Sequence, residues 1–190
     1  MSWSVWFFFG LIALTGLERL VELRLTKRNA AWAFARGGEE LGQAHYPFMV
    51  VLHTLFLVAM PLEVWFLSRM VSIPVMLAML LLAIGCQALR WWCISTLGPR
   101  WNSRVIVVPD LPRITTGPYQ FTWLRHPNYI VVVVEGVVLP MVHGAWLTAT
   151  VFTILNAFLL RTRIRVEEQA LSRLARTGRV EMPSDRLSER

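Results

Sequence analysis

The sequence predicts an all-α integral membrane protein: five transmembrane helices, a shaped cytoplasmic connector and a cytoplasmic C-terminal helix. Three observations predict it. Of the 190 residues, 55% are hydrophobic and 16% charged, against about 25% charged in an ordinary soluble domain. Mean hydropathy is +0.50, and the apolar residues run in long stretches rather than with the period of a soluble core. Of the 19 Lys and Arg residues, all but Arg69 and Arg90 fall in alternate connectors and the C-terminal segment, the pattern that the positive-inside rule imposes on five crossings. It puts the N-terminus outside and the C-terminus in the cytoplasm. The net charge of +7 is then a consequence of topology, and no nucleic-acid partner is expected.

A crossing takes about 20 apolar residues. The stretches 3–23, 47–67, 73–97, 127–142 and 145–160 meet or approach that length. The first leads into Glu18 and Arg19 without a basic n-region or a small-residue cleavage site, so it reads as a span and not as a signal peptide. The last two are short and meet at His143 and Gly144, which predicts a tight helical hairpin whose ends are completed by flanking polar residues. Cys86 and Cys93 share a helix face but stand about 10 Å apart along the axis, too far for a disulfide, and read as core. Trp3, Trp6, Trp65, Trp91, Trp92 and Trp146 mark interfaces or packing at the span ends. One domain, 1–177, is expected, followed by a tail at 178–190.

Most of the polar chemistry lies on the inner side, in the 98–124 connector and the segment from Arg161. The connector holds a β-like run from Arg104 to Pro109, then a turn signal at Thr116-Gly117-Pro118-Tyr119, so it reads as a shaped loop. Arg125-His126-Pro127-Asn128-Tyr129 follows, with Pro127 suited to the first turn of the fourth span. Arg125 and His126 then stand at a helix N-terminus, where a ligand carboxylate is favoured; as interfacial anchors they read equally well. Arg163 and Glu167, at i and i+4, share a helix face and taken alone read as a solvated ion pair.

In order and spacing, Gly117 to Tyr119, Arg125 to Tyr129, one helical hairpin and then Arg163 with Glu167 and Glu168 resemble the isoprenylcysteine carboxyl methyltransferase family. The resemblance is strong over about 97–171, and the first connector, from Glu18 to Pro47, looks like a bacterial branch of it. It implies a multi-span enzyme of the bacterial inner membrane. Such an enzyme uses S-adenosylmethionine, bound by the connector and C-terminal segment, to methylate an oxygen of a lipophilic acceptor drawn from the bilayer. That acceptor is isoprenylcysteine-carboxylate-like or a long-chain pyrone or phenolic lipid. Carried over by position, Gly117, Tyr119, Arg125, His126, Pro127, Tyr129 and Glu168 bind the cofactor, while Arg163 and Glu167 serve the acceptor and catalysis. Many relatives have glycine two residues after the motif tyrosine; here that position is Val131. In keeping with a non-Rossmann methyltransferase, no strand-preceded glycine-rich loop is present in the sequence. The rival readings are a phospholipid N-methyltransferase, an NADPH-dependent membrane reductase, and a small helical scaffold or transporter.

Four of the spans each place a polar residue in the inner half. Glu135 is about 12 Å from the inner end of its span and Arg90 about 10 Å from the end of its own, and Asn156 and His53 fall in the same inner half. Ionisable residues at such depth are pocket candidates, usually paired. A helix-locking Arg90–Glu135 pair is the competing expectation. His53 reads more simply as a hydrogen-bonded bundle histidine, and with His45 eight residues away and no cysteine or carboxylate beside them, no metal site is expected.

Overall fold

A computed structural model describes residues 3–43, 46–109, 111–112, 114–121 and 126–176, the final helix by backbone alone at 167–168 and 170–176. Arg125, the Glu167 and Glu168 side chains and the 178–190 tail lie outside the described residues. Five α-helices appear: α1 (Trp3–Phe34), α2 (Tyr46–Phe66), α3 (Ile73–Leu97), α4 (Pro127–Met141) and α5 (Trp146–Arg176). Two short strands, β1 (Glu39–Leu41) and β2 (Val105–Val107), pair antiparallel, with Glu40 opposite Ile106.

Four of the helices are long and apolar enough to cross a membrane; α4, at 15 residues, is shorter. Their outer surfaces carry large apolar side chains, among them Leu14, Leu81 and Phe158 at 64%, 69% and 65% exposure. In water such a surface would aggregate, so lipid is the solvent these faces require. The buried faces converge on one core, with Phe8, Met60, Val131 and Val142 essentially sealed. Phe152 of α5 knots three helices: it stacks on Phe56 with centroids 4.0 Å apart, meets His53 edge-on at 5.2 Å, and lies over Gly136. A Cβ at Gly136 would stand 2.5 Å from the Phe152 ring, so the close approach of α4 and α5 depends on that glycine.

The apolar run of the first span ends near residue 23, yet α1 continues to Phe34, a helix about 48 Å long. Its last turns form an arm beyond the apolar stretch. Asn29 donates to the carbonyls of Gly98 and Trp101 (3.2 and 2.7 Å), Thr26 to Ser103 (3.0 Å), and Asn102 back to the Thr26 carbonyl (3.2 Å). The expected β-like run is strand β2. Its partner β1, which sequence periodicity did not indicate, is placed by the turn that ends α1, where Gly37 adopts φ 73° and the Gly38 N–H returns to the Ala33 carbonyl. Arg104 then pairs with Glu40 (3.3 Å) and lies over the Tyr46 ring.

At the other end, the predicted hairpin is present, with Gly144 at φ 72°. Buried Glu63 of α2 caps α5 from outside the helix: it accepts the backbone N–H of Leu147 and Thr148 (3.1 and 2.7 Å) and the Thr148 hydroxyl (2.8 Å), and pairs with Arg69 (3.3 Å). Three donors and a cation thus satisfy one buried carboxylate, and α2 is tied to the hairpin. His143, at the hairpin turn, is buried against Phe8 and bonded to Ser4. Cys86 and Cys93 are buried and free, as their spacing requires. Glu63→Ala is expected to lower stability by about 2–3 kcal/mol, and Glu63→Gln by less because one acceptor survives. Thermal unfolding of the detergent-purified protein measures both; equal stability of Glu63→Ala and wild type would contradict the cap.

Candidate functional site

The N-terminus of α4 is preceded by His126, whose carbonyl accepts the N–H of Tyr129 (3.0 Å) and Ile130 (3.2 Å), with Pro127 in the first turn as the sequence predicts. The three-residue spacing stacks the His126 ring on Tyr129, centroids 5.1 Å apart and planes 19° from parallel. From α5, Arg163 donates through Nε to the Tyr129 hydroxyl (3.2 Å), and its guanidinium lies 5.3 Å from the centre of that ring. A second guanidinium nitrogen stands 3.3 Å from the sulfur of Met49 on α2. Three helices therefore meet at one aromatic and cationic cluster. In its described partners Arg163 is a tertiary contact residue, whereas the sequence alone suggests a surface ion pair.

Beside this cluster, Asn128 Oδ1 is buried with no hydrogen-bond partner among the described residues. Such an acceptor is costly unless a donor beyond the described residues reaches it. Gly117 opens the second turn of the connector at φ 58°, and a Cβ there would fall 2.4 Å from the Thr96 hydroxyl. Glycine is therefore required twice over, by backbone conformation and by contact with α3. Two residues on, Tyr119 is hydrogen-bonded to Cys93. Gly117 and Tyr119 are thereby held against α3, while His126, Tyr129 and Arg163 gather between α2, α4 and α5. Val131 is fully buried in the core, so the departure from glycine at that position fills space between helices.

The four intramembrane polar residues do not form one hydrogen-bonded layer. Glu135 is ion-paired with Arg90, and the pair belongs to a larger cluster that the sequence analysis missed. Arg19 of α1 reaches Glu135 (3.3 Å), Glu22 (2.9 Å) and Glu18 (3.2 Å), Gln87 donates to Glu135 (3.0 Å), and Arg90 lies 3.7 Å from Glu22. The signal was in the sequence: Glu18, Arg19 and Glu22 lie within about 8 Å of the C-terminal end of the first apolar stretch. His53 bonds instead to the Met49 carbonyl (2.8 Å), the satisfied bundle histidine expected. Asn156 lines a cleft between α4 and α5. No group of three or more metal-ligating side chains occurs among the described residues.

This architecture is that of a multi-pass membrane protein with an aromatic and cationic cluster at one end of the helices. The isoprenylcysteine carboxyl methyltransferase (ICMT) family model matches residues 76–173. A Bacillus subtilis protein, "Uncharacterized protein YpbQ", is 34% identical over 164 residues, covering 86% of this chain and 96% of its own. A Haemophilus influenzae "Uncharacterized protein" is 26% identical over 159 residues, covering 82% and 90%. No solved structure matches. The chain belongs to the isoprenylcysteine carboxyl methyltransferase family, in company with bacterial relatives, and is a membrane methyltransferase.

Removing one charge of the buried Arg90–Glu135 pair leaves the other in a low-dielectric interior, so Arg90→Leu is expected to cost about 3–5 kcal/mol. Arg90→Leu combined with Glu135→Leu should recover most of that loss, because Arg19 still neutralises its α1 neighbours. Denaturation of the single and double variants decides it: a double variant no more stable than Arg90→Leu would show that the pair is not a closed unit.

Proposed function

We propose that the protein transfers a methyl group from S-adenosylmethionine to an oxygen of a lipophilic acceptor at the cytoplasmic face of the membrane. The observation that carries this reading is the convergence of His126, Tyr129 and Arg163 from two helices onto one site beside an Asn128 oxygen that has no partner among the described residues. Members of the family use this cofactor, and the residues present suit it. The stacked His126–Tyr129 pair offers an aromatic wall, the N-terminal turn of α4 favours a carboxylate, and Asn128 offers an acceptor to an amino group. Gly117, Tyr119, Arg125, His126, Pro127, Tyr129 and Glu168 are assigned to cofactor binding, with Glu167 and Arg163 on the acceptor side.

The cofactor supplies an electrophilic methyl on sulfur, so the chain itself needs to position and ionise the acceptor oxygen rather than carry a strong base. Arg163 does this through its charge: a neighbouring guanidinium favours the anionic oxygen and orients it. The Tyr129 hydroxyl and ring hold that guanidinium in place. Acceptors of the family type, a carboxylate on an isoprenylcysteine-like lipid or an acidic enol or phenol on a long chain, fit an anionic oxygen at the end of an apolar body. The buried Arg90–Glu135 cluster is assigned to fixing α4 against α1 and α3.

Five crossings, outer N-terminus and cytoplasmic C-terminus complete the proposal. The 15-residue α4 spans about 22 Å. The α4–α5 turn is covered by protein, with Val142, His143 and Ala145 all buried, and shielded backbone is tolerated at membrane depth. Both ends of this hairpin face inward whether or not its turn reaches the outer surface, so the orientation of the termini is unaffected.

Two measurements test the proposal. Cysteine placed at Met70, which is 92% exposed, should label from outside the inner membrane, and cysteine near residue 180 from inside; labelling from one side would reject the topology. S-adenosylhomocysteine should bind the purified protein, and His126→Ala or Glu168→Ala should weaken it at least tenfold with thermal stability kept. No binding by the folded wild type would overturn the cofactor assignment.

A further inference from the structure

Between α4 and α5 runs a cleft of about 220 Å³ lined by Val133, Phe152, Asn156, Leu160, Arg161 and Ile164. Along α5 its lining extends from Phe152 to Ile164, about 18 Å. The walls are apolar except for three groups: Arg161 at one end, exposed, and Thr153 and Asn156 further along, of which only Asn156 is buried. Asn156 is 5% exposed, and its side chain forms no hydrogen bond with any described residue. Its neighbours on the same helix behave differently, since Thr150 and Thr162 turn back to the carbonyls four residues earlier at 2.8 and 3.1 Å. A buried amide facing an apolar trough, with no partner of its own, is costly in hydrocarbon unless something in the trough pairs with it.

Asn156 and Arg163 are seven residues apart, two turns on one face of α5, so Asn156 lies about 10 Å further into the bilayer than the Arg163 position. A single-chain amphiphile whose anionic head meets the arginines at the inner end would lay its chain along the cleft and past the amide. We propose that the α4–α5 cleft is the chain-binding half of the acceptor site, and that Asn156 selects acceptors carrying a hydrogen-bonding oxygen part-way along an otherwise apolar body. The proposal rests on the methyltransferase reading for the purpose of the site, and it narrows the acceptor class by chemistry. A plain prenyl or alkyl chain leaves Asn156 unpaired; an oxygenated one satisfies it. Phe152, fixed by Phe56 and Gly136, closes the deep end of the trough.

The test uses two probes that differ in a single oxygen, octadecanoate and 10-hydroxyoctadecanoate, binding to the full chain in nanodiscs. The wild type should bind the hydroxy probe about five- to tenfold more tightly, the worth of one neutral hydrogen bond. Asn156→Leu should bind both alike. Val133→Phe, which fills the cleft from an exposed position on α4, should lose more than tenfold for both probes while keeping its melting temperature. Equal wild-type affinities, a preference that survives in Asn156→Leu, or unchanged binding by folded Val133→Phe would each overturn the proposal. The wild-type comparison and Val133→Phe decide the matter even if Asn156→Leu fails to fold. S-adenosylhomocysteine affinity, measured on the same samples, separates the two readings: its absence in the wild type removes the methyltransferase reading, while the probe preference judges the cleft independently.

Discussion

The arrangement of this protein turns on a charge buried where water cannot reach it. Arg90 sits within the third helix at 5% exposure, and in such surroundings a guanidinium persists only if carboxylates are brought to it. Glu135 comes from α4 and Glu22 from α1, and Arg19 bridges the two acids. One electrostatic requirement thereby fixes three helices in register. Apolar packing between helices in lipid has no such specificity, because a leucine gains little by leaving one hydrocarbon environment for another.

Once α4 is held on its α3 side, its other face is free to serve α5. Gly136 lets Phe152 approach, and about two turns toward its N-terminus the same helix presents Tyr129 to Arg163. The two faces of α4 therefore divide the labour: ion pairs on one, aromatic and cationic chemistry with the α4–α5 cleft on the other. Glu63 pins the far end of α5 in the same manner, by giving a buried carboxylate every partner it needs. Capping α5 from α2 ties down the hairpin at the end away from the Arg163 cluster.

The connector depends on a different constraint. A chain leaving α3 with Gly98, Pro99, Pro109, Pro112 and Pro118 cannot continue as an α-helix, so many of its backbone groups need external partners. The arm of α1 supplies several of them, through Asn29 and Thr26, and β1 supplies more by pairing with β2. This is why α1 runs on past its apolar stretch. Gly117 is then pressed against Thr96, and the chain re-enters the helical bundle at Pro127.

Much of this was legible in the sequence, because hydropathy and the distribution of arginine depend on the solvent and not on neighbours. The apolar stretches, the hairpin at Gly144, Pro127 at the start of α4 and the free cysteines all follow from local composition and spacing. So does family membership, since Gly117-Pro118-Tyr119, His126-Pro127-Asn128-Tyr129 and Arg163 lie in readable order. Tertiary structure alone decided which polar groups meet. Arg163 faced Glu167 by helical spacing, but its described contacts are Tyr129 and Met49; Glu135 and Asn156 shared a depth, but α4 and α5 turn them to different partners. Linear spacing fixes the height of a side chain in the bilayer and its angle on its own helix. The rotation of each helix against the others is set by long-range contacts, here a buried ion cluster and one glycine–phenylalanine approach, and those exist only once the chain is folded.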